Sequence, residues 1–361
     1  MRMASPRRPD ATYSLLVTTD RVPPRRDLGL DAARGLAIVA MVIAHAHPWF
    51  VAPGPLNRLV GEINDLASPL FALVMGVSAG LVARDIVARH QERWPTIAHF
   101  AVRAVLLIVI GELLVKFDTW IAVVLQPLGL TALVGAFVMF LRPRHLIPLA
   151  VLTWLLALAN TLPGTEPDNA DWHAPWHWLH VYVLSDSHYR LTGLLPLFLL
   201  GVVVGRVGHT HRHTLHLTLA VGVAAAIGWL AGKALHLSTD PGRWVDSTHD
   251  LALCAIVFAV VCMAAGAPAA VGKVSRVALR PAALIGTVAL SAYALQFVLL
   301  KVLVQHPPSW LPFGWQPAVV FVGACLLLSW LWARTIGKGP LEWATSELSG
   351  RSLVRRRQTA T

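Results

Sequence analysis

Ten stretches of this 361-residue chain are each apolar over the length a helix needs to cross a lipid bilayer: residues 29–49, 66–87, 97–116, 119–141, 145–162, 190–208, 215–237, 249–270, 282–304 and 317–337. A bilayer core of ~30 Å takes roughly 20 residues at about 1.5 Å per residue. Lipid offers no partner to backbone N–H and C=O groups, so such stretches satisfy themselves as helices. The predicted fold class is therefore all-α, a polytopic membrane helix bundle of about ten transmembrane helices. Pro127 interrupts the fourth stretch and makes it the least regular of the ten. Mean hydropathy is +0.60, and charged residues make up 14%, against ~25% in an average soluble domain. One membrane domain over 29–343 accounts for nearly the whole chain.

Charge placement sets the predicted orientation. With the N-terminus inside, 22 of the 30 Lys and Arg residues fall in inner loops and tails, and six (Arg58, Lys116, Arg190, Lys233, Arg243, Lys301) fall outside. Arg34 and Arg103 lie within helices near their inner ends. This is the positive-inside distribution and places both termini in the cytoplasm. Residues 1–28 read as a disordered basic cytoplasmic arm, without the apolar core of a signal peptide, and 344–361 as a basic cytoplasmic tail. A net charge of +11 would direct a soluble protein toward nucleic acid. Here the partner it implies is the lipid bilayer, and no nucleic acid is expected. Cys254, Cys262 and Cys325 show no paired spacing, so neither a disulfide framework nor a cysteine metal site is expected. Gly76 and Gly80 make a small-residue face that lets helices approach closely.

Two ionisable residues share one face of the first helix. Arg34 and His45 are eleven positions apart, which at about 100° per residue returns to within roughly 20°. Burying a cation and an imidazole in lipid is expensive, and such groups mark functional sites. The bland alternative has Asp31 neutralising Arg34 at the interface and His45 merely ending the helix. His47 points about 200° away from His45 if the helix continues, and Pro48 is expected to end it. Arg103 and Glu112 share the third helix on opposite faces, with Lys116 one turn beyond Glu112. Gln126 lies beside Pro127, and Tyr293 and Gln296 are one turn apart on the ninth helix, where hydrogen bonding across helices is the plainer role.

The longest outer loop, 163–189, gathers Glu166, Asp168 and Asp171 with Trp172, Trp176, Trp178, His173, His177 and His180. On one helix the three histidines would have metal-like spacing. Pro175 suits a helix's first turn and leaves His173 outside it, so no metal is expected. The loop reads as an interfacial aromatic belt or as a wall on which a sugar stacks, with Trp176 and His177 as acceptor contacts. His209-Thr210-His211-Arg212-His213 reads as a solvated basic turn.

Taken in order, these motifs resemble a known family. Asp31-Ala32-Ala33-Arg34-Gly35, Asp65-Leu66-Ala67-Ser68-Pro69-Leu70-Phe71, Gly76-Val77-Ser78 and Leu125-Gln126 with Gly129-Leu130 are similar to the catalytic domain of heparan-α-glucosaminide N-acetyltransferases and their bacterial relatives. Leu194 to Gly201 with Gly205-Arg206, Leu290 to Tyr293 with Gln296, and Gly339-Pro340-Leu341-Glu342-Trp343 resemble the YeiB-like bacterial branch. The resemblance spans about 29–343. It implies a multi-pass protein of a bacterial inner or plasma membrane that moves an acyl group, acetyl first among candidates, from cytoplasmic acyl-CoA to an extracytoplasmic hydroxyl or amine, such as a cell-envelope glycan. It departs in one respect: after His47 the first outer loop holds no histidine before Asp65, so His45 or His47 must carry the chemistry.

On that reading His45 is the base or acyl acceptor and Asp65, at the mouth of the second helix, orients it. The alternative role for Asp65 is capping that helix. Arg34, Arg103 and Gln126 are assigned to acyl-CoA, and His47, Trp176, His177, Tyr293 and Gln296 to the acceptor. Arg34 and His45 are expected to line one cavity. The rival classes are a proton-coupled small-solute transporter, against which the absence of two related halves argues, and a non-catalytic membrane protein of the same fold. A homo-oligomer is left open.

Overall fold

The polar interruptions of the apolar pattern decide where each helix stops. The computed structural model describes residues 27–49, 54–159, 189–239, 243–306 and 314–350. Within them lie twelve α-helices and no strand: α1 Leu28–His45, α2 Pro55–Ala88, α3 Trp94–Val115, α4 Leu125–Val138, α5 Pro143–Ala159, α6 Leu191–Val207, α7 Arg212–Ala234, α8 Trp244–Ala265, α9 Ala269–Gly286, α10 Ala289–Gln305, α11 Gln316–Thr335 and α12 Pro340–Leu348. Six of them (α1, α2, α3, α7, α8 and α11) are long and apolar enough to cross a membrane, or seven spans if the bent pair α9–α10 is one. Shorter apolar helices fall in α4, α5 and α6. The protein is a multi-pass membrane protein.

Five sequence expectations change. α2 is 34 residues long and begins at Pro55, placed where its missing N–H is no loss, so Asp65 sits about three turns inside the helix and does not cap it. α4 begins only at Leu125, with Pro127 in its first turn, so Pro127 starts this helix and interrupts nothing. Arg212 and His213 belong to the first turn of α7. His209 is no solvated turn residue: it is buried, and its Nε2 lies 2.7 Å from Asp27 Oδ2. The predicted ninth span breaks at Thr287–Val288, where α9 and α10 meet at 70°. The Glu342 carboxylate of α12 stabilises the break by accepting the Leu290 and Ser291 N–H groups at 2.6 and 3.1 Å, and the Ser291 hydroxyl at 2.5 Å. A carboxylate bonded to open N–H groups at a helix start both caps it and meets its dipole. The domain boundary drawn at 343/344 therefore falls inside α12, which stays docked to its end, where His99 Nδ1 meets the Ser349 carbonyl at 2.9 Å.

At the N-terminal end, Asp27 caps α1 by accepting the Leu30 N–H at 3.0 Å. Burial opposes its negative charge, but the His209 hydrogen bond and the Leu30 N–H outweigh burial and hold its pKa below the usual carboxylate value. The tightest crossing joins α2 and α6. A Cβ on Gly76 would strike the Phe198 carbonyl and one on Gly80 that of Val202, while Gly201 and Gly205 would strike those of Leu73 and Val77. Small residues thus face small residues across the contact, and the backbones close to the distance that rewards lipid-embedded packing. α1 and α9 cross in the same way, Gly35 against the Ala282 carbonyl and Gly286 against that of Asp31. The second of these crossings braces α1, whose C-terminal end carries His45.

Candidate active site

His45 is the last residue of α1, followed by a short 3₁₀ turn over His47–Trp49, as the position of Pro48 predicts. Its Nδ1 lies 2.6 Å from Gln296 Oε1. Tyr293, Gln296 and Phe297 sit at i, i+3 and i+4 on α10 and so share one face. The rings of Tyr293 and Phe297 meet the imidazole edge-on at 6.4 and 6.5 Å. Gln296 is fully buried, and its Nε2 donates to the Ala292 carbonyl at 3.4 Å. That bond turns the amide oxygen toward His45, so Nδ1 carries the proton and Nε2 keeps its lone pair. Trp120 Nε1–H donates to the His45 carbonyl at 3.0 Å, and the Val124 N–H donates to the Tyr293 hydroxyl at 3.1 Å. The residues just before α4 are thereby tied to the histidine from both sides.

Arg34 lies on the same helix, three turns back. Its guanidinium donates to Asp31 Oδ1 and to Ser78 Oγ of α2, each at 3.0 Å. Its side chain is 26% exposed, which leaves it reachable. Gln126 is buried in the first turn of α4. Its Nε2 donates to Glu112 Oε1 at 3.4 Å, its side chain rests on Gly111, and its Oε1 has no hydrogen-bond partner among the described residues. Arg103 is exposed on α3. His47 is exposed with its Nε2 2.6 Å from Asn57 Oδ1. Trp176, His177 and the rest of that loop's aromatic and histidine residues lie outside the described residues.

Asp65 is placed beside a different histidine. Its Oδ2 is 3.7 Å from His249 Nδ1 of α8, while His249 Nε2 is 2.8 Å from Glu62 Oε2. The Trp229 ring stacks on His249 at 4.3 Å. Tyr189 bonds Ser68, and burial, then Asp250 and Asp65, push its phenol above the ordinary value, so it stays protonated. His249, Asp250, Asp246, Glu62 and Ser78 were not singled out from sequence. The signal available was Asp246-x-x-His249-Asp250, a polar face one turn long at the start of α8, which a hydropathy pattern reads as loop.

Lipid-length helices that enclose an imidazole oriented by a buried amide, with an arginine three turns away on the same helix, make a membrane protein with a built polar site. Residues 27–353 match the acyltransferase-3 family, an acyltransferase domain, and the chain belongs to that family of transmembrane acyltransferases. It is also similar to human (Homo sapiens) heparan-alpha-glucosaminide N-acetyltransferase, 28% identical over 193 residues, which are 49% of this chain and 27% of that protein. The chain thus spans about a quarter of the length of the curated relative it matches.

Proposed function

We propose that the protein transfers an acyl group, acetyl first among candidates, from cytoplasmic acyl-CoA to a hydroxyl or amine acceptor outside the membrane, such as a cell-envelope glycan. The supporting frame is a bundle of about ten spans in a bacterial plasma membrane, both termini cytoplasmic, as the positive-inside distribution argues. The observation that carries the reading is the Gln296 hydrogen bond, which leaves His45 Nε2 as the nitrogen able to take a proton. The acceptor O–H or N–H gives its proton to Nε2. The new acyl bond forms as the thioester C–S bond breaks, and the proton passes to the departing thiolate. Eleven residues of helix put Arg34 about 16 Å from His45 along the axis, toward the cytoplasmic end. Held by Asp31 and Ser78, it is the cation suited to the donor's phosphates.

The test is thiol release and acyl transfer by purified protein in nanodiscs with labelled acetyl-CoA and glycan or amine acceptors. His45→Ala is expected to lower transfer about 100- to 10,000-fold, the range for a lost general base, while His47→Ala keeps most of it. Arg34→Ala is expected to raise the KM for the donor. A dead His47→Ala, or wild-type turnover in both histidine variants, overturns the assignment.

A further inference from the structure

Beside the bend between α9 and α10, a groove of about 400 Å³ lies between α10, α11 and the start of α12. That is room for roughly a dozen water-sized groups such as methylenes. Val288, Ala292 and Leu295 form its α10 wall, and Leu328, Leu331 and Trp332 its α11 wall. The seven residues from Val288 to Leu295 carry it about 10 Å along the helix. Its polarity changes along that length. Ser291 and Thr335 lie toward the α12 end, and both hydroxyls are engaged, one by Glu342 and the other by the Leu331 carbonyl at 2.7 Å. Ser329 also lines the groove, is only 5% exposed, and its hydroxyl has no hydrogen-bond partner among the described residues. At the α12 end the exposed Lys338 stands at the mouth, its carbonyl accepting the Trp332 indole N–H at 3.2 Å. The Glu342 carboxylate nearby is turned to the N–H groups that open α10, where its charge is met. The other end, at Leu295 and Leu328, is apolar.

We infer that this groove holds one acyl chain of an anionic phospholipid, with the phosphate at Lys338 and an ester carbonyl on the Ser329 hydroxyl. The inference stands independently of the acyltransferase reading. Chain and headgroup are both needed. A small anion alone leaves the apolar walls uncovered, and a plain hydrocarbon leaves a buried hydroxyl without a partner, which is costly. A phospholipid carries its parts in the order the groove presents them: a phosphate for the lysine, an ester for the serine, then methylenes for the leucines. A lysine at a membrane surface attracts anionic headgroups. α11 is long and apolar enough to cross the membrane, so lipid chains surround the opening. Once occupied, the groove ties the first turns of α10 to α11. It thereby holds the bend from which α10 delivers Gln296, the neighbour of Leu295 in sequence, to His45.

The experiment titrates the purified full chain in detergent with dioleoyl phosphatidylglycerol, dioleoyl phosphatidylcholine or glycerol 3-phosphate, and counts bound molecules by native mass spectrometry. One phosphatidylglycerol is expected to bind about fivefold more tightly than phosphatidylcholine, the preference a single lysine near a membrane surface gives. Glycerol 3-phosphate, which has the headgroup chemistry and no chain, should not displace it. Lys338→Gln should erase the preference and keep the binding of both lipids. Ser329→Ala should weaken both about two- to tenfold, as loss of one hydrogen bond does. Leu328→Trp, at a side chain already 45% exposed, should block both by filling the groove. Bound phosphatidylglycerol should also slow hydrogen exchange over residues 286–292 in the wild type and leave it unchanged in Leu328→Trp. A preference that survives Lys338→Gln, or lipid binding unchanged in Ser329→Ala and Leu328→Trp, overturns the inference. So does displacement by glycerol 3-phosphate, which would mark a simple anion site. A dimer that Leu328→Trp abolishes would make a second copy the occupant and overturn it equally.

Discussion

Replacing Gln296 by leucine keeps the volume of a fully buried side chain and removes the acceptor 2.6 Å from His45 Nδ1. Two effects follow, of different size. Release of the tautomer lets the proton move to Nε2, and an even split between the two forms lowers the competent fraction only about twofold. Release of the ring orientation matters more, because outer partners that aim a functional imidazole are worth about 10- to 100-fold where they have been removed. The stranded Nδ1–H also costs about 1–3 kcal/mol of stability, part of which the apolar leucine offsets in its apolar surroundings. Gln296→Leu is therefore expected to lower kcat for acyl transfer about 10- to 100-fold with the KM for acetyl-CoA unchanged, since Gln296 reaches His45 and not Arg34. Gln296→Glu keeps an acceptor at Nδ1, the arrangement carboxylates provide beside catalytic imidazoles, and is expected to recover most of that loss. Thiol release in nanodiscs, followed with a chromogenic disulfide at varied donor concentration, separates kcat from KM. Wild-type kcat in Gln296→Leu, or equal losses in both variants, would refute positioning as the role of this amide.

Other consequences of the packing are open to direct measurement. Gly76→Ala and Gly201→Ala each drive a methyl into a carbonyl of the facing helix and should destabilise the α2–α6 contact by about 1–3 kcal/mol, read by thermal denaturation in detergent. Glu342→Ala removes the acceptor of three hydrogen bonds at the start of α10; it should lower Tm and loosen α12, visible as faster hydrogen exchange over residues 289–292 and 340–348. Asp27→Ala removes the cap of α1 and should cost about 1 kcal/mol near neutral pH. Because the folded pKa of Asp27 is depressed, its contribution is present above the ordinary carboxylate value and is lost as pH falls through the folded one. The gap between wild type and Asp27→Ala should accordingly close in acid, and a gap that widened there would contradict the pairing.

The apolar helices were legible because hydropathy is a local property, although among the described residues six or seven, not ten, are long and apolar enough to cross a membrane; the polar site was only half legible because its pairings are not local. Helical period alone put Arg34 and His45 on one face, and α1 keeps both there. It could not reveal Gln296 as the partner of His45, 251 residues away. Asp65 was assigned to His45 on the neighbouring helix, yet it stands beside His249. His209 read as solvated because His211, Arg212 and His213 surround it, while its carboxylate partner lies 182 residues earlier. The polar run Asn57, Arg58, Glu62, Asn64 and Asp65 hid the first three turns of α2, since hydropathy reads charge as loop even where a helix extends beyond lipid. The bend between α9 and α10 was invisible for the same reason: the carboxylate that caps it comes from α12. A common physical cause joins these cases. Inside a bilayer a polar atom has no water to fall back on, so it bonds whichever polar atom helix packing brings near. Helix packing as a whole therefore decides which polar atom meets which imidazole: His45 meets Gln296 across α1 and α10, and Asp65 meets His249 across α2 and α8. On that account, an apolar pattern locates helices, while the site is assembled by contacts between helices far apart in sequence.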